Sequence, residues 1–369
     1  MIWCSITAMK PVTRSELLAL VRSGACEIDA ASAGDVFSSS AWWLAFLEHV
    51  GQDDWAYAVL ASGAASAGFV PVYRVDPGWA KWRGLSNFYT GQLSLPEAPL
   101  LVSALSGGQP SVAEVEFSPL SESDAARLHR AWQAQGWFSR ADLAFGNWYL
   151  PSADLSFTQF MSQRPERLQN TWRRKMRPFD KGLTHRVQIV RDVEHVDAAM
   201  NAFEHVYTRS WKPTEAFPRF VRAWAKACAA QGWLRLGLAW VDGVPVAAQF
   251  WFTAHGRAFV FKLAYDEAYS RLSAGTVLSG HMFRESLEVD RVREIDYLSG
   301  DDAYKRDWMT HRRQRFRVTA CNPRTACGLW RGVRLAAGEW RARWRGRSAQ
   351  GLLAPLGLEA AKNSERGSA

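Results

Sequence analysis

Four clusters in the C-terminal half combine residue types that could do chemistry. Ser273-Ala274-Gly275-Thr276 stands ahead of an apolar run read as a helix from Val277 to Leu287. A glycine-bearing loop at a helix start exposes backbone N–H groups and a positive dipole end, which suits a pyrophosphate. The alternative is an ordinary serine-capped helix. Asp296, close to Glu294, lies inside a run that otherwise looks buried. A carboxylate there needs a partner or takes a raised pKa. Asp296 is therefore either a general base for an amine or hydroxyl acceptor or an acid paired with an arginine. Tyr304-Lys305 offers a phenol as a proton donor, with Tyr297 as its rival, and an ammonium to offset charge on an anionic acceptor or phosphate; the alternative is a packed tyrosine and a solvated lysine. Lys262 interrupts an aromatic strand beside Tyr265 and Asp266. An ammonium in that position must face a cleft or an acid, and Asp266 or Asp296 can be that acid. Its role is substrate orientation or a structural ion pair. His281 is read as a packed histidine. No Ser-His-Asp order, P-loop or paired metal ligands are found.

The elements that must position these residues follow from hydrophobic period. Leu234, Leu236, Leu238 and Trp240 alternate as in a strand with one buried face. Asp242-Gly243 is a tight-turn dipeptide, so Val246, Ala248, Phe250 and Phe252 return antiparallel. His255-Gly256 marks a second turn before Phe259, Phe261, Leu263 and Tyr265. A fourth strand covers Ile295 to Leu298 and ends at the acidic corner Ser299-Gly300-Asp301-Asp302.

Three antiparallel strands, a glycine-containing loop, a helix and another strand are the order of an acyl-CoA-binding acetyltransferase core. The wording also resembles a family. Lys262-Leu263-Ala264-Tyr265-Asp266-Glu267, Ser273-Ala274-Gly275-Thr276 and Asp296-Tyr297-Leu298-Ser299-Gly300-Asp301-Asp302-Ala303-Tyr304-Lys305 are similar to motifs of the bacterial acetyltransferase branch associated with cellulose and exopolysaccharide biosynthesis, within the GNAT superfamily. That branch is related to Fem-type aminoacyl transferases, which carry two GNAT-like domains. The resemblance is strongest over residues 160–315 and weaker over 36–150. It implies an α/β (α+β) fold of tandem GNAT-like domains, each a mixed, mainly antiparallel sheet flanked by helices. It implies acetyl-CoA or another acyl-CoA as co-substrate, held by Arg271, Ser273, Ala274, Gly275 and Thr276, and a small-molecule or saccharide acceptor. The superfamily motif has more glycines; here only Arg271 and Gly275 of it remain. The resemblance further implies that Tyr304 protonates the departing thiolate and that Trp211 and Lys212 border the cleft.

At 369 residues the chain can hold two domains with sizeable cores. The five cysteines are scattered, and Cys321 and Cys327 lack partners at metal spacing, so neither a metal site nor disulfides are expected. No run of about 18 apolar residues is present, and a cytoplasmic location is expected. The net charge of +9 is uneven: residues 305–347 hold 13 basic and 2 acidic side chains, and residues 156–191 hold 9 and 2. Such segments suit anionic partners: CoA, a membrane surface or nucleic acid.

The expected division is an N-terminal arm (1–35), a degenerate GNAT-like domain for acceptor binding or scaffolding (36–155), the acyltransferase domain (156–320), a basic amphipathic helix (321–349) and a disordered tail (350–369). In the first half, Phe37 to Trp43 looks like a helix start that one of its serines can cap, with Trp42, Trp43, Phe46 and Leu47 as apolar face. Trp55–Leu60 and Gly68–Tyr73 form a hairpin around Ser62-Gly63, Ser86 to Gly91 is a polar-aromatic loop, Ser121 caps a helix to Gln135, and Arg140–Tyr149 is a strand. Arg164 to Gly182 is a charged helix that Pro178 should end or kink, either a solvated linker or a wall against an anion. Near the end, Trp330, Val333, Ala337, Trp340 and Trp344 recur at helical steps, flanked by Arg331, Arg334, Arg341 and Arg345. This stripe either docks on its own domain or lies on an anionic membrane. The expected function is direct acyl transfer; a Fem-type transferase that uses aminoacyl-tRNA and a non-catalytic scaffold are the competing readings, and nucleic acid enters only through the former.

Overall fold

The computed structural model describes residues 10–23, 35–60, 70–76, 81–84, 98–106, 112–182 and 184–344. The turn at Ser62-Gly63, the loop Ser86 to Gly91 and the tail 350–369 lie outside the described residues. In chain order the strands are β1 (Lys10–Val12), β2 (Tyr57–Leu60), β3 (Val70–Asp76), β4 (Lys81–Gly84), β5 (Glu114–Leu120), β6 (Phe138–Pro151), β7 (His185–Val190), β8 (Leu234–Val241), β9 (Val244–Ala254), β10 (Arg257–Tyr265), β11 (Glu294–Asp296) and β12 (His311–Cys321). Contacts group the chain into two units: residues 1–33, 53–145 and 314–369, and residues 34–52 and 146–313.

The two units repeat one strand plan. In the first, β2, β3 and β4 form an antiparallel meander, β4 pairs parallel with β5, and β5 pairs antiparallel with the second half of β12. In the second, β7, β8, β9 and β10 form the meander, β10 pairs parallel with β11, and β11 pairs antiparallel with the end of β6. Each unit is thus a mixed, mainly antiparallel sheet with helices packed on it. The first unit's core gathers Leu101, Val115, Phe117, Leu128, Trp132 and Val318.

The turns form where their residues permit. Asp242 and Gly243 have φ of +50° and +79°, and His255 and Gly256 +51° and +74°. Positive φ at both central positions gives a turn whose twist matches two-residue hairpins, and glycine adopts it without a Cβ clash. One expectation fails on β9: Ala247, Gln249 and Trp251 are buried as well as Val246, Ala248, Phe250 and Phe252. The strand is covered on both faces. Phe37 and Trp42 meet Phe252, Phe220 and Trp224 at 4.9 to 6.0 Å between ring centroids, filling one face. The helix Ala274–Arg284 fills the other, with Phe283 stacked 4.7 Å from Phe160 and 4.9 Å from Trp308.

That packing explains why the division differs from the linear one. Helix Ser40–His49, capped by Ser39, buries Trp42, Trp43, Phe46 and Leu47 and belongs with residues 146–313 rather than with the first unit. Residues 314–321 of β12 close the first unit instead of the second. Two further differences concern helices. The helix Glu166–Lys181 continues through Pro178 and stops at Gly182, φ +67°. The helix after Ser273 begins at Ala274, three residues earlier than its apolar run, and passes into a π-helical turn Glu285–Val289.

Candidate active site

The second unit's sheet opens beside β10. Its first three residues pair parallel with β11, Arg257 with Glu294, Ala258 with Ile295 and Phe259 with Asp296. There β11 ends, while β10 runs on to Tyr265, paired with β9 on its other side. Phe261 is an extra residue between Val260 and Lys262, a bulge that breaks the expected alternation and bends the strand. The gap is a cleft of about 620 Å³, within the usual size of ligand sites.

Leu263, Ala264 and Tyr265 form the β10 side of the cleft. The start of helix Ala274–Arg284 adds Ser273, Ala274, Gly275, Thr276 and Ser279, and helix Glu166–Lys181 adds Arg167, Leu168 and Thr171. The loop and short helix after β11 contribute Asp302, Tyr304, Asp307 and Trp308. Ser273 sits at φ +52° and makes no side-chain capping bond, so it is not the ordinary serine cap. The N–H groups of Ala274 and Gly275 are the first of the helix and have no intrahelical acceptor. Gln249 fixes this end from below: its side-chain nitrogen donates to the Gly275 carbonyl at 3.2 Å and to Ser279 Oγ at 2.8 Å, and Trp251 Nε1 donates to its oxygen at 2.9 Å.

At the other side Trp211 lies 4.5 Å from Tyr265 between ring centroids and is 46% exposed. Lys212 is half-buried, 5.8 Å above the Trp211 ring. Burial, with Lys262 and Lys305 nearby, pushes its pKa down to about 8. Burial chiefly, together with the Asp302 carboxylate, holds the Tyr304 phenol above the usual tyrosine range. Arg167 donates to Asp307 at 2.8 Å, which joins the long helix to the loop side.

Of the residues singled out from sequence, Ser273, Ala274, Gly275, Thr276, Trp211, Tyr265 and Tyr304 line the cleft together. Several others have different work. Asp296 is 4% exposed and accepts from Asn147 at 2.6 Å, from the Leu298 N–H at 2.7 Å and from Arg313. Arg313 also binds Glu294 at 2.9 Å. These bonds match the paired-acid alternative and leave Asp296 outside the cleft. Lys305 is 4% exposed; it donates to the carbonyls of Ser299 and Gly300 and pairs with Asp302, so it braces the loop rather than offering charge to a substrate. Lys262 pairs with Glu215, not with Asp266 or Asp296. Asp266 accepts from the Ala268 N–H at 2.9 Å and caps the turn Glu267–Leu272. The exposed Arg271 side chain does not line the cleft; its carbonyl accepts from Lys175 at 2.6 Å. Tyr297 is buried at 3% exposure beneath Tyr304. His281 packs half-buried, its pKa lowered to about 4 by burial and by Arg284.

Gln249 and Glu215 escape sequence reasoning. Gln249 had a signal, a polar residue in an apolar strand; Glu215, in an irregular segment, had none.

Residues 166–306 match the family model described as an acetyltransferase (GNAT) domain. This segment is a GNAT domain. It contains every described residue lining the cleft except Asp307 and Trp308. Solved structures are similar in fold along most of the chain. One is the C-terminal domain (DUF2156) of a putative lysylphosphatidylglycerol synthetase from Agrobacterium fabrum, 12% identical, TM-score 0.54, covering 89% of this chain and 97% of that one. FemX is similar at 10% identity and TM-score 0.56, over 85% and 97% of the two chains. L-PGS from Bacillus licheniformis gives 12%, 0.52, 87% and 96%. At such identities the likeness is one of fold. No curated protein matches the chain. Among the described residues no group of three or more His, Cys, Asp or Glu could hold a metal ion.

Proposed function

We propose that the GNAT domain transfers an acyl group, most simply acetyl, from acyl-CoA to an amine or hydroxyl. One observation carries this reading: β10 leaves β11 after Phe259, and the open strand edge ends at the first turn of helix Ala274–Arg284. The strand edge at Leu263 to Tyr265, which lines the cleft, can hydrogen-bond the amides of a pantetheine arm as an added strand would. The N–H groups of Ala274 and Gly275, with the hydroxyls of Ser273 and Thr276, suit the diphosphate. The acceptor attacks the thioester carbonyl, the carbon–sulfur bond breaks, and Tyr304 gives its proton to the leaving thiolate. Asp302 orients the acceptor and receives the proton it sheds. Trp211 and Tyr265 provide an aromatic platform for the acceptor, with Lys212 at its rim, which fits the saccharide suggested by the motif resemblance to the exopolysaccharide-associated branch. No cysteine or histidine is among the described lining residues, which favours direct transfer over a covalent enzyme intermediate.

A second reading has aminoacyl-tRNA as donor. It is favoured by the span of the fold likeness, which covers both units and joins this chain to FemX and to lysylphosphatidylglycerol synthetases. The reduced glycine content of the Ser273–Thr276 loop points the same way.

The deciding experiment offers the purified chain acetyl-CoA and, separately, aminoacyl-tRNA, each with a panel of amines and sugars. Release of free CoA thiol that depends on an acceptor supports the first reading. Deacylation of tRNA that depends on an acceptor, without thiol release, replaces it with the second. Neither activity, with no CoA retained in native mass spectrometry, overturns both.

A further inference from the structure

The first half of helix Ala326–Trp344 docks by Gly328 and Gly332 and displays Leu329, Trp330 and Val333. A Cβ on Gly328 would stand 2.2 Å from the Asn322 carbonyl oxygen and 2.6 Å from that of Ala113, and one on Gly332 would stand 2.1 Å from Phe138 Cδ2. Between these glycines Arg331 turns inward to Glu114, which is 2% exposed. The opposite face carries Leu329, Trp330 and Val333, exposed at 46%, 51% and 53%. Arg334 lies 4.6 Å over the Trp330 ring on that same face. An amphipathic helix of a globular domain ordinarily turns its apolar stripe inward. Here tight glycine contacts hold the helix the other way round.

We propose that this face binds an anionic lipid surface. The charge fits: residues 324–347 carry seven arginines against one acid, Glu339. Only Arg331 among the described ones is committed to an internal acid. Aliphatic and indole side chains enter the headgroup boundary while guanidinium groups meet lipid phosphates. Nucleic acid would engage the arginines but has no use for Leu329 and Val333. A second copy of the chain would bring arginine-rich faces together. No described helix is long and apolar enough to cross a membrane.

The test is co-sedimentation of the full chain with phosphatidylglycerol–phosphatidylcholine vesicles and with phosphatidylcholine alone. The expected result is binding to the anionic vesicles only, weakening several-fold as salt rises from about 50 to 300 mM. Arg334→Gln should lower partitioning about fivefold, and Val333→Asp at least about tenfold. Leu329→Asp, at another exposed position, repeats the test if Val333→Asp fails to fold. Val289→Asp, an exposed valine elsewhere, serves as control and should leave binding unchanged. Absence of binding to anionic vesicles overturns the proposal. So does binding that Val333→Asp and Leu329→Asp leave intact, or a Val333-dependent dimer or RNA complex in a chain that ignores vesicles.

Discussion

Gly280 lies so close to Trp172 that a Cβ at this position would stand 1.9 Å from the indole Nε1. The contact holds helix Glu166–Lys181 against helix Ala274–Arg284, two walls of the cleft. A methyl group has no room, so Gly280→Ala should cost about 1–3 kcal/mol through displaced packing. Gly275 differs: its Cβ would meet Tyr265 Cδ1 at 3.4 Å, an ordinary contact. Gly275→Val should therefore melt near the wild-type temperature yet lose most of its affinity for CoA, because the branched side chain covers the helix start. Thermal melts and calorimetric titration with CoA separate the two effects. Equal CoA affinity in Gly275→Val and wild type would remove the donor from this loop.

Asp296→Asn tests whether this carboxylate does chemistry. Its bonds to Arg313, Asn147 and the Leu298 N–H place it in the structure of the sheet. The substitution should lower stability by about 1–3 kcal/mol and change turnover per folded molecule little. A large fall in turnover with unchanged stability would return the general-base role to Asp296.

Tyr304→Phe removes the proposed proton donor. The expected loss in kcat is about 10²–10⁴-fold, with KM for the donor nearly unchanged. Since the phenol's pKa is raised, it stays protonated above the range where an ordinary tyrosine ionises. No alkaline decline from Tyr304 is expected below pH about 10. Tyr297→Phe should act on stability alone.

His281 predicts an acid sensitivity. Its pKa is lowered from 6.5 to about 4, so the unfolded chain binds more protons than the folded one between those values. Stability should fall as pH drops through 6.5 and level off below about 4, the His281 share amounting to roughly 3 kcal/mol at most. Chemical denaturation from pH 7 to 4 should show a shallower decline in His281→Gln. Parallel curves for variant and wild type would rule out the histidine as the source.

Local features of this fold were legible because their causes are local. The dipeptides Asp242-Gly243 and His255-Gly256 turn the chain through the backbone freedom of glycine. Ser39 and Ser121 cap their helices by bonds to nearby N–H groups, at 3.3 Å to Trp42 and 3.1 Å to Asp124. The order of strands around Ser273–Thr276 was legible for the same reason.

Partners far apart in sequence were not. Lys262 required an acid, a demand visible in the chain, but the acid is Glu215, 47 residues away. Lys305 and Asp266 carried suitable chemistry and were drawn into bracing and capping by their neighbours. The helix Ala326–Trp344 shows the division most clearly. Residue spacing determined that it would be a helix with one apolar, arginine-edged face. Only tertiary structure decided which face turns outward, because docking depends on shape: Phe138 and the Ala113 carbonyl leave room for hydrogen at Gly328 and Gly332, and not for a side chain.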